Sequence, residues 1–216
     1  MSNIKLTIAI PSLPNRMKMF LAPLYAKLMA QIGDQKDIEV LSIMDNKTMS
    51  VGKKRTRLFG IANGKYTCII DDDDDVTDDF VATMRQHITD DLSVDVICYN
   101  QEANMNGTTW IVKTSLDHDK KHPFDQMKVD QNNRPVPCLR PPWHWCAWRT
   151  DFARKIPFGD SNTQEDTVFV MQAIEQAKTQ LVIDKVLCKY HWSPSISQAQ
   201  FQNISPNDVK RVEINA

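Results

Sequence analysis

The chain has 216 residues, 42% hydrophobic and 25% charged, an ordinary globular composition that excludes a fibrous or disordered chain and suffices to bury the core of one domain. Its formal net charge of −1 excludes a global basic field for nucleic acid. No apolar run approaches the ~20 residues that span a bilayer, and the opening "MSNIKLTIAIPS" lacks a signal-peptide build, so no stable membrane insertion is expected.

"KLTIAI" (5–10) is a continuous apolar strand stopped by Pro11, the pattern of a strand buried on both faces. Residues 14–32 predict a helix, with Leu21, Leu24, Leu28 and Ile32 at helical spacing and Pro23 marking a kink or break. "IEVLSIMD" (38–45) is a second strand, ending on Asp45. Residues 51–62 read as a helix, with Gly64 just past its end. "YTCII" (66–70) is a third strand and runs straight into Asp71–Asp75. Residues 77–90 predict a helix capped by Thr77, and "VDVICYN" (94–100) is another strand. This alternation predicts an α/β fold whose mostly parallel, Rossmann-like sheet is flanked by helices. Ligands of such sheets bind at the carboxyl ends of the strands, where Pro11, Asp45 and Asp71 all fall.

The second half is less regular. "TTWIVKT" (108–114) reads as a strand and 115–137 as a polar loop. Residues 141–158, dense in aromatics, read as a turn, a strand and a short helix. Residues 163–177 predict a helix with Val170, Ile174 and Ala177 on one face. Residues 180–192 form a strand or a pair of strands, and a polar tail follows. The whole reads as one domain over 1–216, with a regular half to about 104, a less regular half from 105 to 197 and a tail from 198 to 216. The five cysteines, at 68, 98, 138, 146 and 188, lack metal-site spacing and read as reduced thiols of a cytoplasmic protein.

Five consecutive carboxylates repel one another, and each raises its neighbours' pKa. They read either as a solvated acidic turn or as a divalent-metal site whose ion answers the repulsion and collects substrate phosphates. An EF-hand is excluded: counted from Asp71, position 6 is Val76 and position 12 is Ala82, where such a loop needs Gly and Glu. The basic run Lys53, Lys54, Arg55 and Arg57, and a second zone of Arg134, Arg140, Arg149, Arg154 and Lys155, suit a site that holds both a metal and an anion. Thr163-Gln-Glu-Asp166 reads on its own as a capping box. His144 and His191, each flanked by aromatics, read as packed or functional, and His118 and His122 as part of a charged loop.

"KRTRLFGIANGKYTCIIDDDDDV" resembles the nucleotide-sugar half of GT-A fold, family 2-like glycosyltransferases, in which Arg-Asn, a helix, Ala-x-Gly, a strand and Asp-x-Asp-Asp follow in order. Arg55, Ala62, Gly64, Asp71, Asp73 and Asp74 fall in that register, with Thr56 where Asn is usual. "IAIPSLPNR" (8–16) resembles the first strand and turn, "QEDTVFVMQAI" (164–174) the acidic catalytic motif, and "KYHWSPSIS" (189–197) a C-terminal segment that often supplies a metal-binding His. The matches cover about residues 5–197.

The resemblance implies a metal-dependent, inverting transferase that moves a sugar from a nucleoside-diphosphate sugar, by family habit a UDP-sugar, to an acceptor hydroxyl. Pro11, Ser12, Arg16, Asp45, Arg55, Asp71 and Asp72 would face the nucleotide-sugar. Asp73, Asp74 and His191 would hold Mn²⁺ or Mg²⁺. Asp166 would be the general base, with Glu165 beside it. Trp143, His144, Trp145, Trp148 and Arg149 would form the acceptor side, since aromatic faces stack on sugars and on nucleobases alike. The chain is short for this family, so a free-standing soluble enzyme is expected. Its acceptor is a glycan or, in a bacteriophage-type enzyme, a hydroxylated base in DNA. A nucleotidyltransferase and a non-catalytic nucleotide-sugar-binding protein are the alternatives from other classes.

Overall fold

The computed structural model describes residues 3–105, 107–119 and 128–192, Trp192 by its backbone alone. Strand β1 (Leu6–Ser12) is buried at every position, as its unbroken apolar run requires. It lies between β2 (Ile38–Met44) and β3 (Tyr66–Ile69) and is parallel to both. The strand does not stop at Pro11, which pairs with Ile43. Ala9 faces β3, where its carbonyl accepts from the Ile70 amide. Pro11, two residues on, faces the same side beyond the end of β3, so its missing N–H removes no ladder bond.

The helix predicted over 14–32 is three pieces: a 3₁₀ turn (Pro14–Arg16), a wider π-type turn (Met17–Leu21) and helix α1 (Ala22–Ile32). The register changes just before Pro23, which falls in the first turn of α1, where a missing N–H is harmless. Helix α2 (Val51–Ile61) starts at Ser50, whose hydroxyl accepts from the Lys53 amide at 3.1 Å. Gly64 is required by close approach rather than as a helix cap: a Cβ there would lie 2.5 Å from the Thr7 nitrogen. A two-residue strand, β4 (Asp75–Val76), precedes α3 (Phe80–His87), which is shorter than the predicted 77–90. Thr77 does not cap α3; its hydroxyl donates instead to Asp79 at 2.9 Å.

Beyond α3 the chain forms β5 (Val96–Met105), β6 (Thr108–Thr114), β7 (Cys138–Arg140), β8 (Ala147–Arg149), the short α4 (Thr150–Ala153), α5 (Glu165–Gln176) and β9 (Gln180–Trp192). The sheet runs β2-β1-β3-β8-β5-β6-β7, and β9 pairs with β5 and β4. Strands β1, β2, β3, β5 and β9 share one direction, and β8 is inserted antiparallel between β3 and β5. That inversion brings the start of β8 to the carboxyl ends of its neighbours, so the segment ahead of it, Trp143 to Cys146, borders the crevice. The Ile69 amide donates to the His144 carbonyl at 3.2 Å and fixes this segment beside the aspartates.

Behind the crevice, α2 and α5 pack through an aromatic stack. Phe158 and Phe169 lie face to face at 4.4 Å, with Phe59 at 5.5 Å from Phe169 and Trp148 edge-on to it. Gly52 lets α2 touch the segment ahead of α5: a Cβ on Gly52 would fall 1.7 Å from the Gly159 carbonyl oxygen. The five cysteines are all buried and free. No helix among the described residues is long and apolar enough to cross a membrane.

Candidate functional site

The five aspartates divide their work according to where each points. Asp72 turns inward. Its carboxylate accepts from Ser12 Oγ at 2.5 Å and from Arg16 Nε and an Arg16 terminal nitrogen at 3.0 and 2.8 Å, and the side chains of Arg16 and Asp72 are wholly buried. A desolvated guanidinium requires such a partner. Ser12, Arg16 and Asp72 therefore anchor the run to the end of β1. This corrects their assignment to direct nucleotide contact: their polar atoms are spent on one another. Pro11 is buried within β1. Asp75 turns outward to Lys27 at 2.9 Å.

Asp71, Asp73 and Asp74 remain at the crevice. Arg55 grips Asp71 through one terminal nitrogen at 2.6 and 2.7 Å, and its other terminal nitrogen reaches Glu165 at 2.8 Å. Burial pushes Asp71 up, but Arg55 outweighs it and holds the carboxyl below its usual range. Asp73 has less help. Burial, then the charge of Asp71, push it to about 7, although Arg16 lies 2.9 Å away. Asp74 is driven well above the carboxylate range by burial and by Asp71 and Asp73.

Asp166 stands at the start of α5. Thr167 N–H donates to its Oδ1 at 2.8 Å and the Trp143 indole N–H to its Oδ2 at 3.0 Å. Burial raises this carboxyl, yet His144, Arg55 and these donors bring it below its usual value, so it is ionised. No capping box forms. The residue ahead of α5 is Gln164, left-handed at φ 61°, and makes no side-chain cap. Glu165 points back to Arg55, which ties the two carboxylate groups together. His144 lies between them, its Nε2 3.9 Å from Asp71 and its Nδ1 3.8 Å from Asp166. Burial, then Arg55, lower its pKa to about 4, so the ring is neutral near pH 7.

These groups wall a cavity of about 290 Å³, bordered by Arg55, Asp71, Asp74, Trp143, His144 and Asp166 and completed by Trp145, Gln101, Met105, Arg140 and Tyr190. The structure thus brings together Arg55, Asp71, Asp74, Asp166, Trp143, His144 and Trp145 from the expected set, with Glu165 and Asp73 adjoining. Asp45 sits apart, held by Lys54 and by the Met49 amide at 2.7 Å.

Strand geometry and packing place three of the expected residues elsewhere. Trp148 is wholly buried, stacked on Phe152, and its indole donates to the Trp143 carbonyl at 2.8 Å, so it belongs to the core. Arg149 pairs opposite Tyr66, the first residue of β3. Because β8 runs backwards, that is the far edge of the sheet, where Arg149 meets Asp151 and Asp95 at 2.8 and 3.2 Å. On β9 successive side chains alternate faces. Tyr190 lines the cavity, while His191 is exposed and approaches Asp74 only through its backbone N–H, at 3.4 Å. Burial, then the surrounding aspartates, raise the Tyr190 phenol.

Tyr190, Gln101 and Met105 went unseen because only the pairing of β9 with β5 places them. Lys54, buried and donating to the Ser12 carbonyl at 2.9 Å, was visible merely as charge. His122 and the residues from 193 on lie outside the described residues.

Among the described residues, no three His, Cys, Asp or Glu side chains are grouped to hold a metal unaided. The donor chemistry nonetheless fits a hard cation. Asp73 and Asp74 are oxygen donors whose charge the protein leaves under-compensated, and Mg²⁺-type sites use one or two carboxylates and take further ligands from substrate phosphates.

No protein-family model and no curated protein matches the sequence. Solved structures do. A structure of S. aureus TarS 1-349 matches at 17% identity and TM-score 0.57, covering 87% of this chain and 60% of that one. A complex of that protein with UDP matches at 18% and 0.55 over 88% and 61%. A complex with UDP-GlcNAc matches at 16% and 0.58 over 88% and 59%. The chain thus spans about 60% of the length of these TarS structures. At this identity the likeness shows the fold, which is the GT-A type expected from the sequence.

Proposed function

We propose that the chain is a glycosyltransferase that moves a sugar from a nucleoside-diphosphate sugar to an acceptor hydroxyl, with inversion. The observation that carries this reading is Arg55. It ties Asp71, at the end of β3, to Glu165, at the start of α5, so that the acidic run and the ionised Asp166 border one cavity. The complexes of the structurally similar TarS with UDP and UDP-GlcNAc support a nucleotide-sugar donor and make a UDP-sugar the first to test.

In this reading Asp73 and Asp74 would hold Mg²⁺ or Mn²⁺, which, when bound, neutralises the charge that grows on the departing diphosphate. Ser12, Arg16 and Asp72 keep the run in place from beneath. Asp45, at the end of β2, is the group left to meet the base or ribose. Asp166 accepts the acceptor's proton as the hydroxyl attacks, and its two fixed hydrogen bonds aim it.

Thermal unfolding with a panel of nucleoside diphosphates, each with and without Mn²⁺, tests the donor half, because a ligand that binds only the folded state raises its stability. One nucleotide shifts the midpoint only with Mn²⁺, and Asp73→Asn abolishes the shift. No shift with any combination refutes the donor site. In turnover assays with the donor so identified, Asp166→Asn costs about 10²-fold or more in kcat and leaves the nucleotide shift intact. An Asp166→Asn variant that keeps full turnover removes the base.

A further inference from the structure

Three arginines of the second basic zone looked alike in the sequence, and the fold separates them. Arg149 is spent on Asp95 and Asp151. Arg154 donates to the carbonyls of Phe59 and Ala62 at 3.2 and 2.7 Å. Arg140 alone reaches the cavity. Its guanidinium carbon lies 5.1 Å from the centre of the Trp143 ring. Its Nε is buried with no hydrogen-bond partner among the described residues, and no carboxylate among them pairs with it. The backbone beneath it is fixed: the Arg140 carbonyl accepts from the Ser115 amide at 3.1 Å and from His118 Nδ1 at 2.9 Å.

A guanidinium on an aromatic face still has most of its donors to satisfy. Asp71, Asp74 and Asp166 border the same cavity, yet the protein keeps this cation apart from all of them. The complement that remains is an oxyanion carried by a ligand. Its place in the site identifies which ligand. Trp143 stacks under Arg140 with its ring and holds Asp166 with its N–H, so Arg140 lies about one indole's width from the base. The attacking hydroxyl must sit within hydrogen-bond reach of Asp166. An anion on Arg140 therefore lies within reach of a molecule whose hydroxyl meets Asp166.

We propose, resting on the glycosyltransferase reading above, that the acceptor is an acidic sugar or polyol, a phosphate ester or a carboxylate, and that Arg140 is its specificity-determining residue. Nucleic acid fits less well. With Arg149 and Arg154 consumed internally, the cavity offers, among the described residues, one arginine without a carboxylate partner rather than the basic stripe a phosphate backbone needs.

The Trp143 indole N–H resonance, assigned by its loss in Trp143→Phe, reports on the site. The full chain is titrated with glycerol 3-phosphate and with glucuronate, against glycerol and glucose, with and without saturating UDP. One or both anionic probes shift the Trp143 signal while the neutral ones do not, and UDP leaves that shift in place. Arg140→Met weakens the response about tenfold or more, with charge-assisted bonds lost, and Arg140→Lys weakens it less. The other indole signals stay unmoved and report an intact fold. Absence of a shift by both anions up to about 50 mM, a range that detects even millimolar binding, overturns the proposal. Displacement of the shift by UDP assigns Arg140 to the donor diphosphate and also overturns it. Tighter, salt-dependent binding of a single-stranded oligonucleotide at this signal transfers the site to nucleic acid. The donor reading is tested separately by the nucleotide-dependent midpoint, so either reading can fail alone.

Discussion

Replacing Asp73 by Asn stabilises the protein above neutral pH while removing its response to metal and nucleotide. The folded state raises the Asp73 carboxyl from its ordinary 3.8 to about 7, chiefly by burial and then by Asp71. A group whose pKa rises on folding binds its proton more tightly in the folded chain. Its effect is absent below the unfolded value and becomes unfavourable as pH climbs through that window. At about 1.4 kcal/mol per tenfold change in proton affinity, the rise corresponds to about 4 kcal/mol at full ionisation. Asn avoids that cost, in which the 2.9 Å pairing of the carboxylate with Arg16 is already included as an offset. The gain is about 4 kcal/mol at about pH 8 and shrinks towards zero near pH 4, where the wild-type carboxyl is already protonated. Asp72→Asn runs the other way. It strips the main partner from the fully buried Arg16 and costs about 3–5 kcal/mol. Denaturant unfolding of the three proteins with chelator, stepped across this pH range, measures both. If Asp73→Asn and Asp72→Asn destabilise alike at about pH 8, the division of the aspartates into anchored and under-compensated members is wrong.

Trp143→Phe keeps a ring under Arg140 and deletes the N–H that Asp166 accepts. The base's pKa rises, the acidic limb of the pH–rate profile moves to higher pH, and kcat falls about tenfold with donor KM unchanged. Gly52→Ala would gain about 0.5–1 kcal/mol in an open helix, but here the added carbon meets the Gly159 carbonyl oxygen, and calorimetry shows a net loss of about 2 kcal/mol. The shift also loosens Arg55 from Glu165, and turnover falls with it. Arg149→Ala, on the far edge of the sheet, leaves turnover intact and costs under about 1 kcal/mol, because its carboxylate pairs are partly solvated.

The apolar run of β1, the helix–strand alternation that follows and the aspartates closing β3 were legible in the sequence, because periodicity and composition are local. So was the pairing of an acidic run with Glu165 and Asp166, through the order of motifs. The direction each residue faces was not. Five consecutive aspartates look identical as letters. Only the approach of Arg16 from the turn after β1 makes Asp72 an anchor, and only Arg55 from α2 fixes Asp71. Tyr190 and His191 differ by one position, and the alternation of β9 against β5 decides which meets the cavity. Arg140, Arg149 and Arg154 are three equivalent charges until β8 runs backwards and carries Arg149 away. Sequence determines which chemistry is present and roughly which elements carry it. Tertiary structure decides which charges neutralise one another, because that depends on distances between residues up to 110 positions apart in the chain, as with Arg55 and Glu165.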